Sequence, residues 1–166
     1  MIVLLKPCRI AVPQMTIQAS PQRLVLDTNV CLDLFVFRDP RWAVLLQAMR
    51  DGAVQAVTRA DCRMEWQLVL DYPHLKVDPA LKPDLMETFD ALIACLDAPA
   101  APDPAIDAVK LPVCSDRDDQ KFLETALQAR ADILITKDKA LLKLARKTAR
   151  AGLFAIMAPQ AWTLPQ

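Results

Sequence analysis

Two short, solid apolar runs stand out in the pattern of this chain, LVL at Leu24 to Leu26 and ILI at Ile133 to Ile135. Unbroken runs of this kind suit strands buried on both faces of a parallel sheet, whereas a half-buried strand would alternate. Each run stops at polar residues, Asp27, Thr28 and Asn29 in one case and Thr136, Lys137 and Asp138 in the other. Apolar residues then resume at helical spacing, at Val30, Leu32, Leu34 and Phe35, and along Lys139 to Arg150. Both stretches therefore read strand, carboxylate, turn, helix. Ala53 to Val57 and Leu153 to Met157 predict two further short strands.

Between the strands the period is helical. Trp42, Leu45, Leu46 and Met49 fall at i, i+3, i+4 and i+7, and Gly52 stands just past them, where a helix-ending glycine is expected. Thr58 is placed to cap a helix carrying Cys62, Glu65, Trp66, Val69 and Leu70, which Tyr72 and Pro73 end. Leu85, Phe89, Leu92, Ile93 and Leu96 predict another, and Phe122, Leu123, Ala126, Leu127 and Arg130 a third that starts near Asp118 or Asp119. Helices alternating with short buried strands predict an α/β fold built on a parallel sheet. Residues 1–22, with Pro7, Pro13 and Pro21, read as a leader or one added edge strand at Arg9 to Val12, and residues 23–166 as a single domain. The proline-rich segment from Ala98 to Pro112 is a crossing within that domain, because too few residues follow it to build a second core.

Composition narrows the picture. At 166 residues the chain is one ordinary domain, and 54% hydrophobic residues with only 5% aromatics and two glycines favour helices on a small sheet over a β-sandwich. Twenty basic and twenty acidic residues cancel, so bulk charge points to no partner. Five widely spaced cysteines and a single histidine, His74, exclude a zinc knuckle and a disulfide framework and suit buried thiols in a reducing compartment. MIVLL is cut short by Lys6 and Pro7, too soon for a signal peptide or a membrane span, and the reading is cytoplasmic with no membrane partner.

The candidate chemistry is acidic. In open parallel sheets the carboxyl ends of the strands form the ligand crevice, so Asp27 and Asp138 would meet at one rim. Capping the following helix would also account for an Asp at either position. Glu65 falls among apolar neighbours, where it needs a partner or a metal, unless it swings to water or pairs with Arg59 or Arg63. Asp116, Asp118 and Asp119 crowd one helix start, which is more than capping requires. At an effective dielectric of about 20, two like charges about 4 Å apart repel by roughly 4 kcal/mol, and a divalent cation reverses that sign. Asp27, Glu65, Asp119 and Asp138, with Asp116 beside them, offer hard oxygen ligands that select Mg²⁺ or Mn²⁺ and suit phosphodiester hydrolysis. Thr28, Asn29, Ser115 and Thr136 are placed to orient those carboxylates or to bind phosphate. Lys137, Lys139, Lys143, Arg146, Lys147 and Arg150 make the last helix basic beside that rim, either as an RNA-backbone surface or as a solvated face. The three tryptophans read as core rather than as platforms for bases.

These residues resemble the PIN-domain nucleases. LVLDTNV with Asp27, MEWQLVL with Glu65, DRDDQKFLETAL with Asp116 and Asp119, and ADILITKDKALL with Asp138 occur in the family's order over about residues 23–162, and look closest to its branch of toxins from toxin-antitoxin pairs. The resemblance implies a three-layer α/β/α sandwich with a central parallel sheet and a metal-dependent ribonuclease acting on single-stranded RNA. It also implies a small antitoxin that occupies the site, and a homodimer. By position Asp27, Glu65, Asp119 and Asp138 take the acidic-quartet roles, Asp116 is an accessory ligand, and Asn29 and Thr136 support them. Two departures stand out: Lys137 lies where the family often has Gly, and Cys31 and Asp33 replace apolar or small residues. Two other readings compete, a binding or regulatory module of the same fold with little turnover, and an aspartyl-nucleophile phosphatase. The latter wants a second acid two residues after Asp27, where Asn29 stands.

Overall fold

Residues 20–97 and 103–165 are described by the computed structural model, so the expected leader or edge strand at Arg9 to Val12 lies outside the described residues. The apolar runs become strands because both of their faces are covered. β1 (Gln22–Leu26), β2 (Val54–Thr58), β3 (Ile93–Cys95), β4 (Ile133–Ile135) and β5 (Ala155–Met157) form one all-parallel sheet in the order β3-β2-β1-β4-β5.

Side chains alternate between the two layers. Leu24, Leu26, Ala56, Ile93, Ile133 and Ile135 share one core with the segment after β1, α2 (Ala43–Arg50), α3 (Ala60–Val69) and α4 (Lys82–Leu92). Val25, Val57, Leu134 and Ile156 pack on the other side against α6 (Gln120–Gln128), α7 (Lys139–Leu142) and α8 (Ala145–Arg150). The three-layer α/β/α arrangement expected from the sequence is therefore present. The short α5 (Pro104–Asp107) lies in the crossing before α6. Trp66 stacks on Phe89 with ring centroids 5.3 Å apart, and Phe35 meets both edge-on. Trp42 and Trp162 are buried too, in line with their reading as core.

Strand order creates the site. The chain steps from β1 outward to β2 and β3, then returns to lay β4 on the opposite edge of β1, so the winding reverses between β1 and β4. At such a reversal the crossings leave to opposite sides and a crevice opens above the strand ends. The backbone N–H of Asp27 still donates to the Ile135 carbonyl at 3.0 Å, which ties the first carboxylate to the end of β4.

Several local expectations are revised. α1 (Thr28–Cys31) continues into a π-helical turn, Leu32–Val36, in which the Phe37 N–H reaches the Leu32 carbonyl at 2.9 Å. Ile93, expected on a helical stripe, starts β3, because its backbone pairs beside Ala56 of β2. Thr58 ends β2 and gives α3 no side-chain cap. The single last helix is two, broken after α7. Gly52, at φ 70°, does end α2, with Ala53 N–H donating to the Ala48 carbonyl at 2.9 Å and Gly52 N–H to that of Met49 at 3.3 Å. Among the described residues no helix is long and apolar enough to cross a membrane. Truncating the stacked pair should show how the helical layer depends on it: Phe89→Ala is expected to cost about 3–4 kcal/mol in urea unfolding, and a loss below about 1 kcal/mol would mean that the cavity simply closes.

Candidate active site

The two strand-ending aspartates behave differently. Asp138 caps α7, its Oδ1 accepting the N–H groups of Ala140 at 2.6 Å and Leu141 at 3.1 Å. Asp27 occupies the corresponding position before α1 with extended backbone but makes no side-chain cap. Its Oδ2 instead accepts Thr136 Oγ1–H and Asn29 Nδ2–H, each at 2.6 Å. Asp27 is only 4% exposed, so its carboxylate is committed to the crevice between β1 and β4. Thr136 joins the two acids, since its Oγ1 also accepts the Asp138 N–H at 2.9 Å. Asn29 adds a second tie, its Oδ1 accepting the Lys137 N–H at 3.2 Å.

Glu65 enters from α3. Neither Arg59 nor Arg63 holds it: Arg59 binds Asp61 and Glu124, and Arg63 binds Asp90. One oxygen accepts Thr28 Oγ1–H at 2.6 Å, and the other is paired with the Lys121 ammonium from α6. Asp119 precedes α6 without capping it, which leaves its carboxyl free for the crevice. Asp116 is exposed, with Oδ1 accepting the Asp118 N–H at 3.0 Å. Ser115 is exposed and makes no side-chain hydrogen bond among the described residues.

Electrostatics shows that these groups share one field. Burial and the charges of Asp27, Asp138, Asp116 and Glu65 push the Asp119 carboxyl from its ordinary 3.8 to about 7. Burial also raises Asp27, with a further push from Glu65, although the bonds from Thr136 and Asn29 oppose it. Burial disfavours the Lys121 charge, and Glu65 more than offsets this, so the amine lies above its ordinary value. The Cys62 thiol is pushed up to about 12 by burial, which leaves it inert as a nucleophile. The donors are hard oxygens throughout, and their mutual repulsion is what a dication relieves, so the set fits Mg²⁺ or Mn²⁺. Each carboxylate is meanwhile drawn to its own hydrogen-bond donors, and among the described residues no three acidic, histidine or cysteine side chains stand close enough to hold one ion.

The family model for the PIN domain matches residues 23–140, a span that contains Asp27, Glu65, Asp116, Asp119 and Asp138. The chain belongs to the PIN-domain family. PIN domains are generally nucleases, that is, hydrolases of nucleic-acid phosphodiesters. No curated protein matches the chain significantly. The matched span closes this PIN domain at α7, so Lys143, Arg146 and Lys147 lie beyond it.

Around the acids this PIN domain carries two cationic contacts that a motif scan passes over. Lys121 was legible only as the residue two past Asp119 in DRDDQK, with nothing local to say that it crosses to α3. Asp33 and Lys137, each a departure from the family pattern, meet one another: Lys137 Nζ lies 2.6 Å from Asp33 Oδ2, which also accepts Trp42 Nε1–H at 3.2 Å. A buried carboxylate inside the apolar stretch VCLDLFVF was the available signal. Lys139, Lys143, Arg146 and Lys147 have no ion-pair partner among the described residues, and all are exposed. A groove of about 940 Å³ between Trp42 and Trp162 reaches the site only through Lys137 and includes none of these carboxylates.

The raised Asp119 carboxyl has a pH signature. Its folded form keeps a proton up to about pH 7 and the unfolded chain releases it near 3.8, so its contribution to stability is complete below that lower value and is lost as pH rises through 7. Asp119→Asn cannot ionise and should melt about 2–4 °C above the wild type at pH 8 in EDTA, with the gap closing toward pH 4. Equal melting temperatures at pH 8 would mean that the carboxyl is not under charge pressure.

Proposed function

We propose that this PIN domain is a Mg²⁺- or Mn²⁺-dependent endoribonuclease that cuts single-stranded RNA and serves as the toxin of a type II toxin-antitoxin pair. The observation that carries the nuclease reading is the shared field at the β1/β4 reversal, where acids from four segments hold Asp119 at about 7. Asp27, Asp119 and Asp138, with Asp116 as an accessory, would hold the ion, which when bound supplies Lewis-acid polarisation of the phosphoryl oxygen and a more acidic water. Thr136 and Asn29 fix the Asp27 carboxylate by donating to the same oxygen, so no side-chain rotation is needed to present the other. Thr28 and Lys121 fix Glu65, which completes the acidic set or orients the attacking water.

Four unpaired cations on α7 and α8, Lys139, Lys143, Arg146 and Lys147, supply the RNA-backbone surface. Lys137 stands at the rim between them and Asp33, and in this reading it reaches phosphate only by leaving that carboxylate. Single-stranded RNA as substrate is supported by the family, and the toxin role by the resemblance of the four motifs to toxin-branch sequences. The chain would work in the cytoplasm against a small inhibitory antitoxin, as a homodimer.

Purified protein should cut unstructured RNA with Mn²⁺ and stop on addition of EDTA. Asp27→Asn should lower the rate by at least about a hundredfold, with binding that weakens steeply as salt rises. Persistent cutting by that variant would put the activity elsewhere, and no cutting by the wild type would leave a binding module of the same fold. For the toxin role, expression of the chain alone should arrest growth while Asp27→Asn does not. Co-expression of a short DNA-binding protein encoded immediately upstream should relieve the arrest. Normal growth with active nuclease would separate the enzyme from the toxin assignment.

A further inference from the structure

We propose that Lys121 is a built-in cation of the acidic centre, a positioning residue that neutralises Glu65 so that the pocket takes one divalent ion rather than two. The inference takes the metal dependence from the reading above and adds the number of ions and the residue that sets it.

Five carboxylates act on this crevice, Asp27, Glu65, Asp116, Asp119 and Asp138, and among the described residues Lys121 is the one cation in salt-bridge contact with any of them. The contact is not a surface accident. The Lys121 and Glu65 side chains are 20% and 28% exposed, so both charges are largely withdrawn from water, where an ion pair is less screened than on the surface. The Lys121 ammonium lies 5.6 Å from the centre of the Phe122 ring, which gives it an apolar wall. Glu65 is saturated: Thr28 holds one oxygen and Lys121 the other. Asp119, by contrast, is uncapped and unpaired among the described residues, and Asp27 and Asp138 are held by neutral donors. The negative charge left for a metal is therefore concentrated on the β1/β4 side of the crevice, and the α3 side already carries its counter-charge.

Two-ion hydrolases place both metals within about 4 Å of each other. A dication beside Glu65 would have to displace the Lys121 ammonium or sit against it, and like charges at such separations repel by several kcal/mol in a partly buried site. Lys121 is thus suited to stand where a second ion would otherwise go. It differs in kind from Lys139, Lys143, Arg146 and Lys147, which are exposed, unpaired among the described residues and free to meet a phosphate.

The test is Mn²⁺ binding to the full chain, followed by electron paramagnetic resonance and by calorimetric titration, for the wild type, Lys121→Met and Lys121→Arg. Expected are one Mn²⁺ per chain for the wild type and for Lys121→Arg, and a second binding event in Lys121→Met. RNA cutting by Lys121→Met should then rise with Mn²⁺ along a steeper curve than the wild type and recover at high Mn²⁺. Two ions in the wild type, no bound ion at all, or an unchanged count in Lys121→Met would overturn the proposal. A purely structural tie predicts lower thermal stability with that unchanged count. Should Lys121→Met fail to fold, Glu65→Gln provides the complement: it releases the ammonium into the crevice and should weaken binding of the single Mn²⁺ by about tenfold or more, and unaltered affinity would overturn the proposal equally. The two readings fail separately. An altered ion count without RNA cutting removes the nuclease, and RNA cutting with an unaltered count removes the role given to Lys121.

Discussion

The constraint on which this molecule turns is the repulsion among carboxylates gathered where β1 and β4 part. Nothing in the local chain favours that gathering. Asp27 is buried, Asp119 is driven to about 7, and every charge added to the crevice raises the cost of the next. The sheet imposes it, because a parallel sheet that reverses its winding between two neighbouring strands brings the residues after both strands to one rim. The apolar layers on either face, with Trp66 and Phe89 stacked on one side and Phe122 and Leu123 on the other, supply the favourable free energy against which that repulsion is set.

Hydrogen bonding decides how the repulsion is distributed. Thr136 donates to Asp27 and accepts from the Asp138 backbone, so one hydroxyl fixes the spacing of two acids from different segments. Asn29 does the same through its amide, donating to Asp27 and accepting from Lys137. These are neutral partners, which orient a carboxylate without removing its charge. Lys121 on Glu65 and Lys137 on Asp33 are the two places where charge is matched. The second pair also explains two departures from the family pattern together. A lysine at the rim in place of glycine and an aspartate in an apolar helix would each be unfavourable alone, and each answers the other across 2.6 Å. The π-helical turn at Leu32–Val36 carries that aspartate, in keeping with the frequency of such turns beside functional sites.

Much was legible from pattern alone, for identifiable reasons. Solid apolar triplets at Leu24 to Leu26 and Ile133 to Ile135 could only be buried strands, and Gly52 marked a helix end through its positive φ. The acidic positions were legible because polar residues directly after such strands have few structural reasons to be there. β3 was not legible: Ile93 and its neighbours continue a helical stripe, and only a strand partner in β2, some 37 residues earlier in the register Ala56 to Ile93, makes them extended. The break between α7 and α8 was hidden for the same reason, since the basic and apolar spacing runs through it without a Gly or Pro.

The sequence by itself determined the kinds of groups available, which segments extend or coil, and that acids follow two buried strands. Only the tertiary structure decided what each acid does. Asp27 and Asp138 stand in the same local pattern, yet one caps its helix and the other turns to Thr136 and Asn29. Glu65 had two arginines on or beside its own helix and pairs instead with a lysine 56 residues away in the chain. The physical reason is range: propensity and periodicity act over a few residues, whereas a side-chain partner is chosen by which elements the sheet order brings together, and that order is a property of the whole chain.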